Sequence, residues 1–76
     1  MGWRIFAAAV NGDAHATVYL TPEGRVCLRA QEGRELLCEV FVPRIEDVAL
    51  EAAFSELPQP LYEALLDALA RRSASG

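Results

Sequence analysis

Residues 20–36 read LTPEGRVCLRAQEGREL, and this stretch decides the fold. It holds two turn signals of one pattern, Thr21-Pro22-Glu23-Gly24-Arg25 and Ala30-Gln31-Glu32-Gly33-Arg34, on either side of a largely apolar run, Val26 to Ala30. Glycine stands fourth in both. That place suits a type I turn closed by a left-handed residue, the G1 bulge of a three-residue hairpin loop, because glycine takes positive φ without steric cost. Loops of this kind set Leu20 opposite Val26 and Leu28 opposite Leu36, so the run is one strand shared by two hairpins.

Upstream, Asn11-Gly12 is a two-residue hairpin signal of the type I′ class, which sets Val10 opposite Asp13. Three hairpins in a row make a four-stranded antiparallel meander over about residues 3–42. Counting through the turns collects one wholly apolar face: Trp3, Ile5, Ala7 and Ala9; Ala16, Val18 and Leu20; Val26, Leu28 and Ala30; Leu36, Cys38, Val40 and Val42. A slip of one residue would turn a strand over, so agreement among four strands supports the register. The second face is amphipathic. It takes Arg4, Phe6 and Ala8, then His15, Thr17 and Tyr19, then Arg25, Cys27 and Arg29, then Glu35, Leu37, Glu39 and Phe41, with Arg29 opposite Glu35 and Arg25 opposite Glu39.

Pro43 removes a ladder donor and ends the sheet. Beyond it Ile45, Val48, Ala49 and Ala52 recur at helical spacing, with Leu50, Phe54 and Leu57 as a neighbouring stripe, which predicts a helix over about 44–56. Pro58-Gln59-Pro60 breaks it, and Pro60 suits the first turn of a second helix over about 60–72. Leu61, Leu65, Ala68 and Leu69 line that helix, and Arg71 and Arg72 meet the negative end of its dipole. The expected fold class is therefore α+β, ββββαα, one domain over 1–76, with both helices on one sheet face.

Composition narrows the functional classes. The chain has 76 residues and a formal charge of -4, with eleven acids and seven basic residues. Every one of those bases is an arginine. An acidic, lysine-free chain is a poor binder of nucleic acid or anionic membrane in general. An apolar share of 53% is high for so small a domain, whose surface is large relative to its core, and it points to apolar surface that meets a partner. No run approaches the roughly 20 apolar residues that span a bilayer, and Asn11-Gly12-Asp13 follows the first apolar run where a signal peptidase site would need small residues. A cytoplasmic protein is the expectation, and the arginine-only, alanine-rich usage suggests bacterial or phage coding bias.

The reactive residues do not converge. Cys27 and Cys38 fall on opposite faces of adjacent strands, so no disulfide is expected between them, and Cys38 reads as core. His15 stands beside the first turn without other soft ligands, so neither a zinc site nor a cysteine-histidine nucleophile is expected. The glycines are one per turn and form no phosphate loop. No catalytic motif, cofactor site or small-molecule substrate site is read from the sequence.

What remains is the amphipathic sheet face. Phe6, Tyr19, Leu37 and Phe41 make an apolar strip, bordered by Arg4, Arg25 and Arg29. An exposed patch of this kind marks an interface, and the expected function is a non-enzymatic interaction module that binds itself or another protein. The alternative is that a helix covers this face and the strip is core. Two further readings compete. In one, the aromatics stack single-stranded nucleic acid; four antiparallel strands followed by a helix resembles, in topology only, the PUR-repeat and whirly single-strand binders. In the other, the acidic helices, with Glu46, Asp47 and Glu51, serve a phage or mobile-element inhibitor.

Overall fold

Residues 2–75 are described by the structure, a computed structural model. Four strands, β1 (Arg4–Asn11), β2 (Ala14–Leu20), β3 (Val26–Glu32) and β4 (Glu35–Val42), form one antiparallel sheet in the order β1-β2-β3-β4. Two helices follow, α1 (Val48–Phe54) and α2 (Gln59–Ser75), with one 3-10 turn, Ile45–Asp47, leading into the first. The expected ββββαα meander is the observed fold. The helix limits differ from 44–56 and 60–72. The first helix stops early because Glu56 adopts a left-handed φ of 55° and its N–H bonds the Ala53 carbonyl, reversing the chain before Pro58.

The middle hairpin forms as its sequence dictates. Leu20 pairs with Val26, Gly24 carries a φ of 85°, and the Gly24 N–H donates to the Thr21 carbonyl at 3.0 Å. The Arg25 N–H donates to Thr21 Oγ1, also at 3.0 Å, which locks the turn from inside. The outer two hairpins differ from the expectation. Asn11 pairs with Ala14 around Gly12-Asp13, and Glu32 pairs with Glu35 around Gly33-Arg34. Each loop has a left-handed glycine first, φ 61° at Gly12 and 58° at Gly33, and an ordinary second residue, the type II′ pattern rather than I′ or a three-residue loop. The ladders are displaced accordingly: Val10 faces His15, and Leu28 faces Val40 instead of Leu36. Arg29 consequently meets Glu39, not Glu35, and Arg25 does not face Glu39.

Two bulges correct the face assignments. Between Ile5 and Ala7 the β1 register shifts, so Phe6 is the extra residue and Ile5 pairs with Tyr19. A bulge carries two adjacent side chains toward one side, and Phe6 joins Ala7 against the core while Ile5 turns to the opposite face. The second shift lies on β4, where Ala30 pairs with Cys38 and Gln31 with Leu36, leaving Leu37 extra. Leu37 therefore packs toward the core and Leu36 points away from it.

A single core joins sheet and helices. Ala7, Ala9, Ala14, Ala16, Val18, Val26, Leu28 and Ala30 from one sheet face meet Val48, Ala52, Leu57, Leu61 and Leu65. The alanines matter here: their small side chains let α2 settle closely on β1 and β2, and Leu61 and Leu65 are fully buried as a result. Both helices occupy this one face. Among the described residues no helix is long and apolar enough to cross a membrane.

Candidate functional site

With both helices on one side, the other sheet face is open. Reading across it by register, β1 contributes Ile5, Ala8 and Val10, β2 His15, Thr17 and Tyr19, β3 Cys27, Arg29 and Gln31, and β4 Leu36, Glu39 and Phe41. The alternative in which a helix covers this face is excluded by the packing. Its apolar members stand in solvent: Ile5 is 63% exposed and Val10 71%. Burying side chains of this size stabilises by about 1.5–3 kcal/mol each when they are fully removed from water.

The aromatic residues gather at one end. Trp3, expected on the core face, follows Ile5 to the open side and touches both Tyr19 and Phe41, with ring centroids 5.7 and 5.8 Å apart. Those two residues are the cross-strand neighbours of Cys27. The indole therefore roofs Cys27, which explains how a thiol on an uncovered face is fully buried. Burial, and then the Glu39 carboxylate, push the Cys27 thiol above its ordinary value of 9.0, partly opposed by Arg29 and Arg25. The Arg25 guanidinium lies 4.1 Å from the Phe41 ring centroid, a cation–π contact that occupies one face of that ring. Arg29 pairs with Glu39 at 3.6 Å, both half-exposed, a contact worth a few tenths of a kcal/mol to about 1.

Of the residues singled out from the sequence, Tyr19, Phe41, Arg25 and Arg29 share the open face. Phe6 and Leu37 do not, since both bulges turn them toward the helices. Arg4 pairs with Leu20 on the helix side, at the mouth of a shallow depression with Thr21 and Pro22. The sequence reading missed Trp3, Ile5, Val10 and Leu36. Their exposure depends on bulge positions and on which glycine turn forms, and only a short apolar run without polar alternation hinted at it in β1.

Cys27 and Cys38 are unbonded thiols. Cys38 lies on the helix side opposite Ala30, only partly buried, where burial raises its pKa above 9.0 and a hydrogen bond with Ser55 opposes the rise. Among the described residues no cluster of three or more histidine, cysteine or acidic side chains is placed to hold a metal ion. No protein-family model matches the chain, and no curated protein or solved structure matches it significantly.

Proposed function

We propose that the chain is a non-enzymatic protein-docking module that self-associates, with the open sheet face as its docking surface. One observation carries the reading. Two helices fill one side of the sheet, while the other leaves Trp3, Ile5, Val10, Leu36 and Phe41 in water around a single ion pair. An apolar field with a charged pair inside it has the anatomy of a specific interface. Large exposed apolar patches on small domains are sites of association.

The competing nucleic-acid reading draws on the convergence of Trp3, Tyr19, Phe41 and Arg25 at one end. Those rings are committed to one another, however, and Phe41 already lies beneath Arg25, so few ring faces remain for bases. Light scattering at rising concentration tests the choice. The wild type is expected above the mass of one chain, and Ile5→Glu with Val10→Glu should lower that mass with the circular dichroism spectrum unchanged. Salt-sensitive retention on a single-stranded oligonucleotide, with a monomeric mass throughout, would replace this reading with the competing one.

A further inference from the structure

The two edges of the sheet are finished differently. β1 is overlaid by α2, bent by the bulge at Phe6, and its Phe6 carbonyl accepts a hydrogen bond from Arg72 Nε at 3.2 Å. These are devices that keep a strand from pairing with another chain. On β4 the stretch Cys38–Val42, between the Leu37 bulge and Pro43, runs in unbroken register along β3. Glu39 is its only charge.

The core is also incomplete on that side. Leu37, Cys38 and Val40 face the helices yet are only partly buried. The orientation of α1 explains why. Its Ser55 flank touches Cys38, while Ala49 and Ile45 on the opposite flank line a groove with Leu66 and Leu69 of α2. At about 100° per residue, Leu50 then points straight away from the Val48 and Ala52 core stripe, and Phe54 leans from there toward the β4 side. They are 60% and 72% exposed.

We infer that a second copy of the chain pairs with β4, antiparallel and two-fold, extending the sheet from four strands to eight and bringing Phe54 of the two copies together. The inference rests on self-association and adds to the open face a second contact, at the sheet edge. Charge selects both occupant and register. A two-fold axis through Val40 sets Glu39 beside the partner's Phe41, whose ring lies beneath an arginine, as Phe41 does beneath Arg25 in this chain. Each carboxylate then meets a guanidinium across the junction, twice by symmetry. An axis through Glu39 would oppose two carboxylates, which is disfavoured. The joined sheet carries a continuous open face with Phe41 near its centre, doubling the docking surface.

Sedimentation equilibrium combined with hydrogen exchange tests this. In the Ile5→Glu with Val10→Glu variant, which lacks the open-face contact, the expected result is a dimer whose association protects amides in Cys38–Val42 as concentration rises, with β1 amides unchanged. Phe54→Glu added to that variant should weaken the dimer while the monomer stays folded. Glu39→Arg should weaken the dimer by about tenfold or more, and adding Arg25→Glu should restore most of that loss. Concentration-independent exchange in β4, or no rescue by the charge swap, would overturn the edge contact. If the Ile5→Glu with Val10→Glu variant is a monomer while the wild type associates, copies meet only face to face and the edge proposal fails alone. A wild type that is a monomer at every concentration removes both.

Discussion

β1 and β4 border the same sheet, have eight residues each and carry one bulge apiece, yet one is sealed and the other is not. The difference begins in the helices. α2 has 17 residues, a rod about 25 Å long that can run the length of a strand, and Ala7 and Ala9 let it approach β1 closely. α1 has seven residues, about 10 Å, and cannot cover β4 in the same way. Its Val48 and Ala52 reach the core, and Leu50 and Phe54 are left outside. A helix's length can therefore decide which sheet edge stays available, even when both helices are apolar on more than one stripe.

The largest expected effect tests whether that contrast is energetic as well as geometric. Leu65→Ala, on the buried side of α2, should cost about 2–5 kcal/mol, which is much of the stability of a domain this small. Leu50→Ala and Phe54→Ala should change the stability of the dilute monomer by no more than about 0.5 kcal/mol, as surface substitutions do. Urea unfolding at low protein concentration measures both. A loss near 2 kcal/mol at Phe54 would mean that this side chain packs into the monomer core and that the β4 side is closed.

How far this contrast could be read in advance depends on the kind of signal. The turn glycines and alternating apolar residues carried the strand count, the strand order and the side of the sheet that takes the helices. Leu20 opposite Val26 followed because Pro22 and Gly24 admit essentially one loop. The outer hairpins offered two loops of nearly equal local merit, and the choice between Asn11-Gly12 and Gly12-Asp13 moves every cross-strand pair. Bulges are less visible still. Nothing in Ile5-Phe6-Ala7 or Leu36-Leu37-Cys38 distinguishes one apolar residue from the next, so simple alternation puts Trp3, Arg4, Ile5, Phe6, Leu36 and Leu37 on the wrong faces, and Tyr19 and Phe41, away from the bulges, on the right one.

Arg72 sharpens the β1 side of the comparison. Its Nε bonds the Phe6 carbonyl, and its guanidinium carbon lies 5.0 Å from the Phe6 ring centroid. Arg72→Ala removes an exposed hydrogen bond and a cation–π contact, an expected loss of about 1 kcal/mol. Hydrogen exchange should show the change concentrated at the C-terminal turn of α2 and the Phe6 bulge. Equal loosening of β4 would argue against a local clasp.

On the α1 side, Glu56 holds a left-handed φ of 55° just past the helix end, where a side chain is strained and glycine is not. Glu56→Gly should raise the midpoint of thermal unfolding by stabilising about 0.5–1 kcal/mol. Association through β4 should be unaffected, because that residue lies beyond the Leu50 and Phe54 stripe.

The smallest effect comes from the aromatic roof that reaches from Trp3, just before β1, to Phe41 on β4. The folded chain holds the Cys27 thiol above 9.0, chiefly by burial, and Cys38 is raised in the same direction. From pH 9 upward the unfolded chain therefore loses thiol protons that the native chain retains. Stability from these groups is intact below that value and declines as pH rises toward the native pKa values. Cys27→Ala should flatten part of the decline in urea titrations at successive pH values. Trp3→Ala should do so by a different route, removing the roof, returning the thiol toward 9.0 and speeding its alkylation at neutral pH. If Cys27 reacts as slowly without the indole as with it, the flanking Tyr19 and Phe41 side chains are what shield the thiol, and Trp3 is left exposed for a partner.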